Sequence, residues 1–190
     1  MLKVAVRSLD SSPRVHDALR DGALIVGASL FVAICAHVSI SLMPLTPVPL
    51  TLQNMAVLLV GLLLGSRRGL AAMLVYLAEG LIGLPVFNPG GLAGPAHLFG
   101  VTGGFLLMYP LVAFLAGSIF ESGTKTFARA AIAGLLSEIL LFVGGLSWLY
   151  IFTHSLAQAA YLGLYWFVAA EVMKVMLAAG IASRWQRLKH

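Results

Sequence analysis

The chain has 190 residues, of which 60% are hydrophobic and only 10% charged, and its mean hydropathy is +0.97. That leaves too little polar surface to coat a soluble domain of this size, so the composition excludes a water-soluble globular protein and requires an integral membrane protein. The net charge of +5 then reports topology and contact with anionic lipid, not a nucleic-acid face, and the single cysteine, Cys35, excludes an internal disulfide.

All lysines and arginines except Lys174 fall in four clusters: Lys3, Arg7, Arg14 and Arg20; Arg67 and Arg68; Lys125 and Arg129; Arg184, Arg187 and Lys189. Long apolar tracts separate the clusters, each interrupted once by an uncharged break. Six helices with both termini and every other loop on the positive cytoplasmic side produce this pattern. The fold class is therefore an all-α membrane protein, six transmembrane helices in a compact bundle. A cytoplasmic segment, 1–21, precedes a single membrane domain, 22–190. At about 20 apolar residues per crossing, the spans fall at 22–42, 51–65, 69–84, 103–120, 129–149 and 157–183.

The first span follows a basic stretch, but it is about 20 residues long and no A-x-A site follows it, so it reads as retained. Ser29, Ala33 and Ala36 form a small-residue strip on it, suited either to internal packing or to close approach of a partner helix. The connection Pro44–Gln53 (PLTPVPLTLQ) is stiffened by prolines that forbid regular helix, and it ends on Thr51 and Gln53 at the mouth of the second span. Gly61 and Gly65 make a G-x-x-x-G pattern that fits bundle packing or self-association. Glu79 lies near the outer end of the third span.

The outer connection 83–104 (GLPVFNPGGLAGPAHLFGVTGG) holds seven glycines and no formal charge. Backbone of this kind must satisfy its polar groups through protein, water or ligand, which marks it as a lid or binding loop. Glu138 in the fifth span has no evident role. On the sixth, Glu171 and Lys174 are three residues apart, hence on one face and within reach of each other. Ionisable groups at this depth need a partner or a cavity, and this pair suits either an ion pair or a neutral ligand edge with donors and acceptors.

Other motifs carry little. SGTKT at Ser122–Thr126 lacks the G-x-x-x-x-G-K-[ST] spacing of a phosphate loop, so no nucleotide binds by that route. Ser147 and His154 flank an external turn, where a membrane protease would need them inside the bundle. His37 and His97 lack metal-ligand spacing, and no metal or cofactor is expected.

The stretch TPVPLTLQNMAVLLVGLLLGSRRGLAAMLVYLAEGLIGLPVF, the later GG, GP and GVTGGF, and EVMK at Glu171–Lys174 together resemble the BioY family, the biotin-binding S components of energy-coupling factor (ECF) transporters. The resemblance runs from about residue 25 to the end. It implies a six-helix vitamin-binding subunit, not an enzyme, in the cytoplasmic membrane of a prokaryote. The outer loops would close over biotin, and separate ATPase subunits would act through a membrane coupling protein. Carried over, the candidate ligand-binding residues are Gln53, Gly90, Gly91, Gly94, Thr102, Gly103, Gly104, Glu171 and Lys174. The glycines would allow close approach, Thr102 would offer a hydroxyl, and Glu171 with Lys174 would bond the ureido group. Ser29, Ala33 and Ala36 on the first span become the candidate coupling surface.

The chain departs from the family pattern where G-P-T-G-G-Y is replaced by Gly100–Phe105, where the usual Asp is Glu171, where Ala170 stands for glycine, and at His97. These changes bear on individual hydrogen bonds more than on ligand class. Biotin's carboxylate needs a donor, for which Lys174, the backbone of the glycine-rich loop and protonated His97 remain open. The alternatives are an S component for another vitamin, or a self-sufficient secondary transporter or channel.

Overall fold

Pro44, Pro47 and Pro49 leave no room for helix between the first two spans, and the chain breaks there. In the computed structural model, which describes residues 13–90 and 94–188, α1 (Pro13–His37) gives way to a two-stranded antiparallel ribbon, β1 (Ser39–Ile40) and β2 (Leu50–Thr51), with Ser39 opposite Thr51. The ribbon returns the chain to α2 (Gln53–Leu64), where the Thr51 hydroxyl accepts from the Gln53 N–H at 3.3 Å.

Gly65 alone joins α2 to α3 (Ser66–Leu81), at φ +87°, a backbone angle that favours glycine. The start of α3 is capped from another helix, since Ser66 donates both its N–H (3.2 Å) and its hydroxyl (2.8 Å) to the Glu121 carboxylate. After the outer connection come the short α4 (Pro95–Leu98), α5 (Gly103–Glu121) and α6 (Phe127–Thr153). Thr126 caps α6 by accepting from the Arg129 N–H at 3.3 Å, so the SGTKT motif is a helix cap. His154, at φ 52°, ends that helix.

The final tract is broken. A short α7 (Leu156–Ala160) runs into a π-helical turn at Tyr161–Tyr165, and α8 (Val168–Leu188) leaves it at 46°. Single π turns are rare in helices and cluster at functional sites.

The structure is mostly helical, with α5 packed against α6, α3 and α2, and α8 against α6 and α2. Tyr76, Phe120, Leu58, Met73 and Leu141 are among its largest fully buried side chains. Among the described residues, three helices, from His16 to His37 in α1 and over α5 and α6, are long and apolar enough to cross a membrane, and the bent α7–α8 pair makes a fourth if it is one span. The shorter α2 and α3 have 12 and 16 residues. The apolar side chains left exposed on these helices, such as Ile34, Ile139, Val143 and Leu177, match a lipid-facing surface.

Three sequence expectations need correction. The helix α1 runs from Pro13 to His37, where the first span was expected at 22–42. Asp17 and Arg20 near its start are exposed, and Asp21 pairs with Arg68 at 2.7 Å. The last span is not continuous. The strip Ser29, Ala33 and Ala36 is 0%, 8% and 0% exposed, turned into the bundle, and the Ser29 hydroxyl donates to Glu79 of α3. Its small side chains admit this chain's own helices, not a partner's. Gly61 does the same, because a Cβ there would overlap the Ala113 carbonyl of α5.

Basic residues gather at one end of the bundle, where Arg20, Arg68, Lys125 and Arg187 border grooves among α1, α2, α8 and the α5–α6 connection. The ribbon, residues 83–90 and 94–102 of the outer connection, and the α6–α7 joint lie at the other end.

Candidate ligand-binding site

A cavity opens among the elements at that second end. Its polar lining is Thr51, Gln53, Asn54, Asn88, His97, Thr102, Tyr109 and Glu171, and its apolar wall includes Val48, Phe105, Phe142 and Phe167. An apolar chamber with a few converging polar groups is the usual form of a small-molecule site.

Glu171 enters from the first turn of α8. Lys174, one turn on, donates to Glu171 Oε1 at 2.7 Å, and both side chains are buried, at 3% and 7% exposure. The pair is thus formed inside the bundle, where each charge offsets the desolvation of the other. Asn54 of α2 lies beside the same carboxylate, and Tyr109 of α5 donates its hydroxyl to Asn54 Oδ1 at 2.7 Å. Glu171 Oε2 is left buried without a hydrogen-bond partner among the described residues. A buried carboxylate oxygen without a donor is costly, so this atom is suited to accept a further hydrogen bond.

On the facing side, Gln53 Nε2 donates to Tyr76, whose hydroxyl donates to the Val86 carbonyl at 2.9 Å. This relay ties the mouth of α2 to the outer connection. The proline-stiffened connection is fixed as well, since Thr46 donates to the Leu162 carbonyl in the π turn at 2.6 Å. Gly163 of that turn lines the cavity without filling it.

The residues singled out in the sequence separate into groups. Gln53, Thr102 and Glu171 line the cavity, and Lys174 is bonded to Glu171 Oε1. Gly94, at φ +65°, starts the segment that carries α4 and His97. Gly103 and Gly104 serve close protein packing: a Cβ on Gly103 would overlap the Leu98 carbonyl, and one on Gly104 the Trp148 side chain. Gly90 is exposed, and Gly91 lies outside the described residues. Asn54, Asn88, Tyr109 and the aromatic wall were not singled out in the sequence. The "QN" at the start of the second span was the available signal for Asn54. Of the motifs set aside, Ser147 spends its hydroxyl on the Val143 carbonyl at 2.7 Å, and His154 is a helix terminus.

The family model described as "BioY family" matches residues 7–190. The chain belongs to the BioY family. A BioY relative from Pyrococcus horikoshii, named a probable biotin transporter BioY, is 35% identical over 83% of this chain and 93% of its own length. Biotin transporter BioY2 of Lactococcus lactis is 40% identical over 78% of this chain and 82% of its own. The BioY fold here also superposes on the crystal structure of the S component for biotin from an ECF-type ABC transporter. The TM-score is 0.79 and the identity 25%, over 90% of this chain and 93% of that one. With its several apolar spans, this BioY member is a multi-pass membrane protein.

Proposed function

We propose that this chain captures biotin as the S component of an ECF-type transporter, with six crossings and both termini in the cytoplasm of a prokaryotic cell. The relatives named as biotin transporters and the fold shared with a biotin S component support the ligand and its class. The positive end formed by Arg20, Arg68, Lys125 and Arg187 supports a cytoplasmic assignment for that end, by the excess of basic residues on cytoplasmic loops. The cavity then opens outward, beneath residues 83–90 and 94–102 of the outer connection, which act as its lid.

The observation that carries the reading is the unpartnered Glu171 Oε2 in the cavity, next to the Lys174 ammonium. A ureido group offers N–H donors to that oxygen and a carbonyl to a cation, while its fused rings suit the walls of Phe105, Phe142 and Phe167. Gln53, Asn54, Thr102 and Tyr109 supply further polar contacts, and the loop glycines shape the lid. The family and the shared S-component fold support a binding and translocating subunit. Energy would come from separate ATPase subunits through a membrane coupling protein.

The coupling face moves from the buried strip of α1 to its open side. There Ala23, Gly27 and Phe31 border a groove with Leu63, Leu64 and Trp185 of α2 and α8.

The test is equilibrium biotin binding by the detergent-purified chain. One-site binding that weakens about tenfold or more, roughly 1.4 kcal/mol, in Lys174→Ala and in Glu171→Ala is expected. Unchanged affinity in both variants returns the pair to a structural role. Displacement of biotin by riboflavin, thiamin or lipoate would point to another vitamin.

A further inference from the structure

The SGTKT turn between α5 and α6 spends some of its polar groups on itself and leaves two side chains over. The Ser122 hydroxyl donates to the Ile119 carbonyl at 2.9 Å, Arg129 Nη1 donates to the Ser122 hydroxyl at 3.1 Å, and the Thr126 N–H donates to the Thr124 carbonyl at 2.9 Å. With Thr126 also capping α6, the turn is held from both sides. It presents Thr124 and Lys125 to Gln186 and Arg187 near the end of α8, and these four residues line one open groove. Lys125 and Gln186 also line the adjoining groove, whose wall includes Leu62, Leu63 and Leu64 at the end of α2.

The charges around this place do not balance. Arg68 is paired with Asp21 at 2.7 Å, and the Glu121 carboxylate accepts from the Ser66 N–H and hydroxyl. Lys125 and Arg187 are exposed and have no ion pair or side-chain hydrogen bond among the described residues. Two cations in one groove repel each other, and an anion bound between them turns that repulsion into attraction. Thr124 adds a hydroxyl and Gln186 an amide, both neutral donors. Apolar side chains stand exposed right beside the charges: Leu188 follows Arg187 and is 83% exposed, and Phe127, two residues after Lys125, is 42% exposed. A membrane surface, where headgroups meet acyl chains, accommodates both kinds of group.

We propose that this groove binds the headgroup of an anionic phospholipid. Lys125 and Arg187 hold the phosphate, Thr124 and Gln186 bond its oxygens or the headgroup hydroxyls, and the acyl chains run along the apolar outer faces of α6 and α8. The Glu121 carboxylate in the adjoining groove keeps the phosphate on the Lys125 and Arg187 side. A zwitterionic lipid carries the same phosphate together with an ammonium that the two cations repel, so the site selects a net negative headgroup. This site lies at the basic end of the bundle and does not depend on which ligand fills the cavity at the other.

The test titrates dioleoylphosphatidylglycerol or dioleoylphosphatidylcholine into the detergent-purified full chain and counts bound lipid by native mass spectrometry. Wild type should bind one phosphatidylglycerol about twentyfold or more tighter than phosphatidylcholine. Lys125→Gln and Arg187→Gln should each cut that preference about fivefold and together abolish it. Melting temperature and biotin affinity should not change, because both side chains are exposed and remote from the cavity. Arg67→Gln removes an exposed arginine that lines neither groove and should leave the preference intact. Equal binding of the two lipids by wild type overturns the site, as does a preference that Arg67→Gln lowers as much as Lys125→Gln does. Displacement of phosphatidylglycerol by excess inorganic phosphate would make the groove a site for the free anion and overturn the lipid assignment. A double variant that keeps the lipid preference but no longer supports ATP-driven uptake would give the groove to a protein partner instead.

Discussion

Gln53 donates its side-chain amide to the Tyr76 hydroxyl at 2.7 Å, and both residues are buried, at 3% and 0% exposure. Because Tyr76 in turn donates its hydroxyl to the Val86 carbonyl, one phenol holds α2, α3 and the start of the lid together. Tyr76→Phe keeps the ring, including its edge contact with Phe87, but strands a buried amide and a buried carbonyl. The expected cost is about 1–3 kcal/mol of stability. Biotin affinity should fall too, because Gln53 lines the cavity and would be free to reorient. Thermal melts beside binding isotherms check this, and a melt identical to wild type would mean that the relay is dispensable.

Glycines 103 and 104 were carried over as ligand contacts, but their surroundings argue for packing. Gly104→Ala drives a methyl into Trp148, the same side chain that secures Gly100. Overpacking of this kind costs about 1–3 kcal/mol. The melting temperature should therefore drop, with biotin affinity lost only as far as the fold is lost. Gly90→Ala is the contrast: Gly90 is exposed, and the nearest atom to an added Cβ is Asn88 Oδ1 at 4.0 Å, so stability should not change. A Gly104→Ala protein of normal melting temperature that no longer binds biotin would restore the direct ligand role.

What could be read from the sequence follows from what each physical signal specifies. The expected spans 51–65 and 103–120 lie close to α2 and α5, where uncharged Pro- and Gly-rich breaks interrupt the apolar tracts, whereas α6 (Phe127–Thr153) outruns the expected 129–149 at both ends. The break before α8 was missed because YLGLYWF is apolar throughout, and hydropathy does not distinguish a π turn and a bend from continuous helix. Glu171 and Lys174 stood out because charge at membrane depth is costly. Asn54 and Tyr109 did not, since an amide and a phenol near helix ends are ordinary until α2 packs on α5 and joins them. The α1 strip failed for a related reason: small side chains announce a close helix approach without naming the helix.

That failure reverses an expectation for the coupling surface. Ser29 is fully buried and bonded to Glu79, so Ser29→Trp should destabilise the fold and lose biotin binding along with it. Gly27 lies on the open side of α1, with nothing within 4 Å of an added Cβ. Gly27→Trp should leave melting and biotin affinity unchanged while blocking ATP-driven uptake in vesicles reconstituted with the coupling and ATPase subunits. Normal uptake by Gly27→Trp would remove that groove from the coupling surface.

Glu138 poses the opposite problem, a carboxyl group with no assigned partner. It is 5% exposed in α6, both of its oxygens and the neighbouring Ser137 hydroxyl lack hydrogen-bond partners among the described residues, and it lies within electrostatic range of Glu171 and Lys174. Lys174 already donates to Glu171, so two buried carboxyl groups share a single cation. A second buried anion there would be poorly compensated, and a neutral group of the same shape should be tolerated or preferred. Glu138→Gln is therefore expected to melt at or above the wild-type temperature and to bind biotin within about threefold of wild type. Glu171→Gln, which removes the charged acceptor facing the cavity, should lose about tenfold or more. If Glu138→Gln lost as much affinity as Glu171→Gln, the ligand site would have to be redrawn around both carboxyl groups, with Lys174 between them.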